Sequence, residues 1–168
     1  MFKSSRLYPA KKIGWWVLLF LMLPAEAAGP YRFYTVTPCR VLDTRSAFRS
    51  GAFAPNESRA IYVTERFIIG QGGAEDCGIP FPEAKGVFIN VIAVEPTGTA
   101  NNHLTIYPAE STEPTASTLN YQPGVFAIAN GVLVSVCGSA VCKSDLTITN
   151  GPSASTHVVI DVTGYLAE

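Results

Sequence analysis

Residues 87–94 read VFINVIAV and run directly into Glu95-Pro96-Thr97-Gly98. The run is short, rich in β-branched side chains and closed by proline and glycine, which marks a strand rather than a helix. Side chains alternate across a strand, so Val87, Ile89, Val91 and Ala93 share one face and Phe88, Asn90, Ile92 and Val94 share the other. Residues 157–163 (HVVIDVT) divide the same way. Val158, Ile160 and Val162 oppose His157, Val159, Asp161 and Thr163. Each strand thus has one apolar and one mixed face. A core explains the first face. Loops covering part of the second would leave Asn90 and Asp161 half-buried and in need of partners.

Working outward, further strands are expected at 32–36, 40–43, 60–64, 103–107, 117–121, 132–136 and 146–149, with Pro38 separating the first two. Turn signals fall between them, among them Ala54-Pro55-Asn56, Gln122-Pro123-Gly124 and Asn150-Gly151-Pro152. About nine short strands at this spacing predict a single antiparallel β-sandwich, Ig-like or jelly-roll-like, with Greek-key connections. Residues 65–73 are the best rival helix. Gly70, Gly72 and Gly73 would each destabilise it by about 1 kcal/mol, so a loop is expected there. The sequence has no internal repeat and no low-complexity tail, and residues 28–168 read as one domain.

Residues 1–27 have the order of a secretory signal peptide. Lys3, Arg6, Lys11 and Lys12 form a basic start, residues 13–23 (IGWWVLLFLML) an apolar stretch, and Ala25-Glu26-Ala27 a small-residue cleavage site after Pro24. Eleven apolar residues are short against the roughly 20 that span a bilayer. The expected product is secreted, periplasmic or cell-surface associated, with no membrane span after cleavage. Removing 27 of 168 residues leaves 141, with 8 basic and 12 acidic side chains and a net charge of −4. No basic stripe remains, which excludes nucleic acid as a partner.

Cys39, Cys77, Cys137 and Cys142 are even in number in a chain read as exported, which predicts disulfides. Cys137 and Cys142 flank an expected hairpin turn, Gly138-Ser139-Ala140-Val141, and can pair locally, leaving Cys39 for Cys77. A zinc site built from these thiols with His103 or His157 lacks the paired C-x₂-C spacing. No metal and no cofactor is expected.

The densest polar pattern is Pro38-Cys39-Arg40-Val41-Leu42-Asp43-Thr44-Arg45. Asp43 and Arg45 share a strand face, and arginine can hold a carboxylate through two parallel hydrogen bonds. Asp161, set in an apolar strand, needs such a partner. Two readings follow for Arg40, Asp43, Arg45, Asn90 and Asp161. One is a polar knot that fixes register, in which loss of a buried partner would destabilise by about 3–5 kcal/mol. The other is a ligand site, although no carboxylate-rich loop completes a calcium shell.

The order PCRVLDTR, CGIP (77–80), Asn90-Val91, LTIYP (104–108), ASTLNY (116–121), Ala129-Asn130 and THVVIDVTGYL (156–166) resembles a bacterial extracellular module with the signature "CRVLDTR … DVxGYF". The resemblance spans nearly all of the chain after residue 38. It implies a β-sandwich accessory domain without assigned catalysis, found alone or attached to secreted surface proteins and exported hydrolases. The chain departs from it at Leu166, where an aromatic is common, and in the loop at 65–76.

Catalytic patterns are weak. Ser117, His157 and Asp161 could be assembled into a triad, but no G-x-S-x-G elbow is present. His157 and Asp161 lie four residues apart in an extended strand, roughly 13 Å. Glu110 with Glu113, and Glu75 with Asp76, read as solvated loop charges. Tyr31, Phe33, Tyr34, Tyr107 and Tyr121 could offer rings to a sugar, yet aromatics at alternate strand positions usually serve the core or cross-strand pairs. The expected function is a secreted, non-catalytic structural, adhesion or assembly module of the bacterial cell exterior. Its expected partner is a glycan or another extracellular or cell-surface protein. The rivals are a lectin-like carbohydrate-binding module and a small secreted hydrolase.

Overall fold

The computed structural model describes residues 30–46, 51–64, 68–137 and 141–168. The expected export segment, 1–27, lies outside the described residues. Among the described residues eight strands are present: β1 (Arg32–Asp43), β2 (Ser58–Ile61), β3 (Gly86–Gly98), β4 (Asn102–Pro108), β5 (Leu119–Tyr121), β6 (Ala127–Ser135), β7 (Leu146–Asn150) and β8 (Ala154–Ala167). They form two four-stranded antiparallel sheets, ordered β1-β8-β3-β6 and β2-β7-β4-β5. The first and last strands pair, as do the second and seventh, third and sixth, and fourth and fifth. This is one long hairpin folded over itself. β3–β8 and β4–β7 close the two sheets. Such an eight-stranded wrap is a jelly roll, which decides between the two sandwich types that the sequence left open.

Alternation builds the core. Val87, Ile89, Val91 and Ala93 of β3 and Val158, Ile160 and Val162 of β8 face inward from the first sheet. Leu104 and Ile106 of β4, Leu119 of β5, and Leu146 and Ile148 of β7 meet them from the second. A fully buried Val, Leu or Ile side chain contributes about 1.5–3 kcal/mol, so these two layers carry the fold.

Strand expectations are corrected at four places: β2 is Ser58–Ile61 rather than 60–64, β5 is Leu119–Tyr121 rather than 117–121, and β1 and β6 differ further. β1 is one strand through Pro38, with register shifts between Thr35 and Cys39 and between Arg40 and Leu42. It is an edge strand, where a bulge tolerates the missing proline N–H. β6 begins at Ala127, five residues before the expected start at 132. Within 65–73, the described part is a short 3₁₀ turn, Ile68–Gln71.

Both disulfides form as expected, Cys39–Cys77 and Cys137–Cys142, with Cα–Cα distances of 5.6 and 6.0 Å. No described cysteine is free. The longer bridge closes a loop with a sequence separation of 38. Chain entropy assigns such a loop about 4 kcal/mol and the shorter bridge about 2 kcal/mol. Two disulfides suit an oxidising compartment. Among the described residues no helix is long and apolar enough to cross a membrane.

Candidate functional site

The outer face of the first sheet holds the chain's densest group of charges. Register sets Arg40 of β1 beside Asp161 of β8, and Asp161 beside Asn90 of β3. Arg40 donates from Nε to Asp161 Oδ1 at 2.9 Å and from Nη2 to Oδ2 at 3.3 Å, a two-pronged contact. Its Nη1 donates to Asp43 Oδ2 at 3.1 Å. Arg45 grips the same Asp43 through Nε (2.9 Å), Nη2 (2.8 Å) and its backbone N–H (3.0 Å). Each carboxylate is therefore held by an arginine fork.

The Arg45 side-chain hydrogen bonds hold the Asp43 carboxyl below its usual range, against the opposing effect of partial burial. Arg40 and Arg45 are held more firmly protonated, chiefly by hydrogen bonds to Asp161 and Asp43 respectively. The guanidinium side chains remain 40 % and 42 % exposed. The carboxylates are less exposed, Asp43 at 14 % and Asp161 at 26 %, so the pairs are partly buried as expected. The exposed guanidinium groups place the cost of losing a partner below the roughly 3–5 kcal/mol of a fully buried pair. Exposed pairs contribute about 0–1 kcal/mol. Asn90 is adjacent by register, but no hydrogen bond joins its side chain to this network.

Beside the knot, Thr44 Oγ1 accepts from the Val158 N–H at 2.9 Å and lies 3.1 Å from His157 Nδ1. His157 is thus engaged by a threonine. Ser117 is exposed in a bend before β5, on the other sheet. His103 of β4 sits half-buried against the Gly151 turn. Among the described residues no three His, Cys, Asp or Glu side chains are placed to hold a metal ion.

The aromatic candidates separate into two groups. Tyr107 and Tyr121 are buried, and their hydroxyls bond to Thr149 and Asn150. Tyr31, Phe33 and Tyr34 are exposed near the start of the fold. Tyr34 stacks on Tyr165 at 5.1 Å, and Phe33 meets Phe88 edge-on at 5.9 Å. A concavity of about 440 Å³ is lined by Val36, Thr37, Pro38, Asp76, Gly78 and the Cys39–Cys77 bridge. Among the described residues no histidine lines it, and its Asp76 carboxylate accepts from the Gly78 N–H at 2.7 Å.

Sequence reasoning missed two buried hubs at opposite ends of the second sheet. At one end, Asn102 Nδ2 donates to Tyr121 Oη (3.0 Å), Asn150 Oδ1 (3.2 Å) and the Gly151 and Ala154 carbonyls (3.0 Å each). Tyr121 Oη donates to Asn150 Oδ1, and Asn150 Nδ2 donates to the Ala54 carbonyl at 2.9 Å and the Ala154 carbonyl at 2.7 Å. Burial raises the Tyr121 hydroxyl pKa, and the two amides partly offset that rise. At the other end, Asp145 Oδ2 accepts from the Val63 and Thr64 N–H groups (2.8 and 2.9 Å) and from Thr64 Oγ1 (2.9 Å). The available signal was an Asn-Gly-Pro turn directly after an alternating strand. It gave the turn, not the burial of Asn150.

No family model matches this chain. No curated protein sequence matches it either.

Proposed function

We propose that the chain is a secreted, non-catalytic structural module of the bacterial cell exterior, serving adhesion or assembly. The supporting observation is that the carboxylates of the outer face, one nitrogen of His157 and all four cysteines are engaged in holding the sandwich together. The two carboxylates of the outer face are gripped by Arg40 and Arg45. His157 lies against Thr44, and the four cysteines form two bridges. A general acid or base needs a free position beside the proton it moves; Asp43 and Asp161 spend their oxygens on arginine forks, and His157 is held through Nδ1. The signal-peptide pattern and the resemblance to the "CRVLDTR … DVxGYF" module supply the bacterial exterior as the setting. The jelly-roll fold itself hosts unrelated functions and adds no weight to either rival.

The test has two parts. Fractionating the source cells, with immunodetection of the chain, is expected to find it outside the cytoplasm with both disulfides oxidised. Reduced protein in the cytoplasm would overturn the reading. A broad ester and glycoside hydrolysis screen is expected to be silent. Turnover abolished by His157→Ala in a folded variant would replace the module with the hydrolase. Saturable binding on a glycan array, lost on substituting exposed Tyr31 or Phe33, would make it the lectin.

A further inference from the structure

An edge strand offers a row of unpaired N–H and C=O groups, and stable monomers blunt it with short length, charge, proline or bulges. The sandwich has four edges: β1 and β6 in the first sheet, β2 and β5 in the second. Three carry such devices. β1 has Arg32, Pro38 and two register shifts. β2 is four residues long and contains Arg59, and β5 is three residues long.

β6 carries none of them. It is nine residues long (AIANGVLVS) and pairs with β3 without a register shift from Ala127 to Ser135. It lies in a run, 114–142, that contains no Asp, Glu, Lys or Arg. Among the described residues, no backbone hydrogen bond outside the β3 ladder reaches it. Apolar side chains flank it. Phe126 is 76 % exposed, and Phe88, Ile128 and Leu133 are also exposed. Phe88 is the register partner of Leu133, and the Phe33 ring lies over Gly164, so an apolar row crosses the sheet and ends at β6.

Gly131 stands at the midpoint of β6. Among the described residues nothing lies within 4 Å of where a Gly131 Cβ would stand, so no neighbour overhangs the middle of this edge.

We propose that β6 pairs antiparallel with β6 of a second copy of this chain, about a two-fold axis near Gly131, joining two first sheets into one continuous sheet. A two-fold contact sets each surface against itself, so it suits a side without charge. Centred on Gly131, it places Ala129 opposite Leu133 of the partner copy and Asn130 opposite Val132 of the partner copy, with no like charges facing. After removal of the leader each copy carries a net −4, and the uncharged run is where two copies repel least. Nine residues give a paired edge about 30 Å long. The proposal deepens the assembly reading and rests on it.

Sedimentation equilibrium of the purified exported chain is expected to give a reversible dimer. Ala129→Lys with Leu133→Lys sets lysines opposite lysines and is expected to raise the dimer dissociation constant at least about tenfold. Both side chains are exposed, and circular dichroism checks that the fold persists. Single Ala129→Lys mixed with single Leu133→Glu is expected to recover a heterodimer, because register then pairs opposite charges. A chain that stays monomeric at every concentration tested overturns the proposal. So does a dimer that the two lysines leave unchanged. Either result leaves the adhesion reading to the fractionation test, because a monomer can still be exported and bind a different surface.

Discussion

The outer face of the first sheet and the inner layer of the second solve the same problem under different conditions. Both must satisfy polar side chains on a β framework. Arg40, Asp43, Arg45 and Asp161 do so with full charges in contact with water, the arginines about two-fifths exposed. Asn102, Tyr121 and Asn150 do so with neutral groups, each 5 % exposed or less, with only Asn102 Oδ1 left without a partner among the described residues. Asp145 is the buried exception with a carboxylate, 2 % exposed and accepting three hydrogen bonds on one oxygen. Water can replace a lost partner at the first location and cannot at the second. Energetic weight should therefore run opposite to charge density.

The sharpest way to break this comparison is at Asp145. Asp145→Ala is expected to destabilise by about 3–5 kcal/mol, because two buried N–H groups and a hydroxyl lose their acceptor. Asp145→Asn can keep a carbonyl oxygen where Oδ2 stands and is expected to lose only about 1 kcal/mol. Urea unfolding of both variants reads the difference. Equal losses would show that charge, rather than acceptor count, matters at this hub.

Asn150→Ala comes next, with an expected loss of about 3 kcal/mol. It strips the acceptor from Tyr121 Oη and the donor from the Ala54 carbonyl, while Asn102 Nδ2 still reaches the Ala154 carbonyl. Thermal melts of Asn150→Ala and Tyr121→Phe should rank in that order, since the phenylalanine leaves most of the cluster bonded.

The sequence made the fold legible through alternation. Val87, Ile89, Val91 and Ala93 declared an inner face that the structure contains, and the cysteine spacing declared both bridges. The charged residues near β1 were equally visible, because Arg and Asp stand out in an apolar strand. The hubs were not. Asn102, Asn150 and Asp145 sit at strand ends, where polar residues normally meet solvent, and their partners, Ala154 for Asn102, Ala54 for Asn150, and Val63 and Thr64 for Asp145, come from distant parts of the chain. The start of β6 was missed for a related reason. Ala127, Ala129 and Gly131 have weak strand preference, and their pairing with β3 is long-range.

Asp161→Ala tests the other side of the comparison. With its side chain 26 % exposed and Arg40 able to turn to Asp43 or water, the expected loss is about 1 kcal/mol or less. A loss as large as that of Asn150→Ala would mean that the knot is effectively dry, and the contrast between the two sheets would fail.

The smallest effect is the pH dependence carried by Asp43. Its carboxyl is held below the ordinary value of 3.8, first by the Arg45 side-chain hydrogen bonds and then by the Arg45 backbone N–H and the nearby guanidinium charges, with partial burial opposing. A depressed folded-state pKa means that the unfolded chain takes up the proton first. The stabilisation is therefore complete above the unfolded-state value and is lost as pH falls through the lower, folded-state value. Below about pH 4 the parent should lose stability more steeply than Asp43→Asn. Salt should shrink the gap, because the arginines face water. Carboxyl NMR titration separates the causes. Arg45→Gln is expected to return Asp43 further towards its ordinary value than Arg40→Gln does, because Arg45 supplies three of the four hydrogen bonds that described residues make to its carboxylate. Equal shifts from the two variants would make Asp43 a sensor of overall positive charge and would remove the Arg45 fork as the cause.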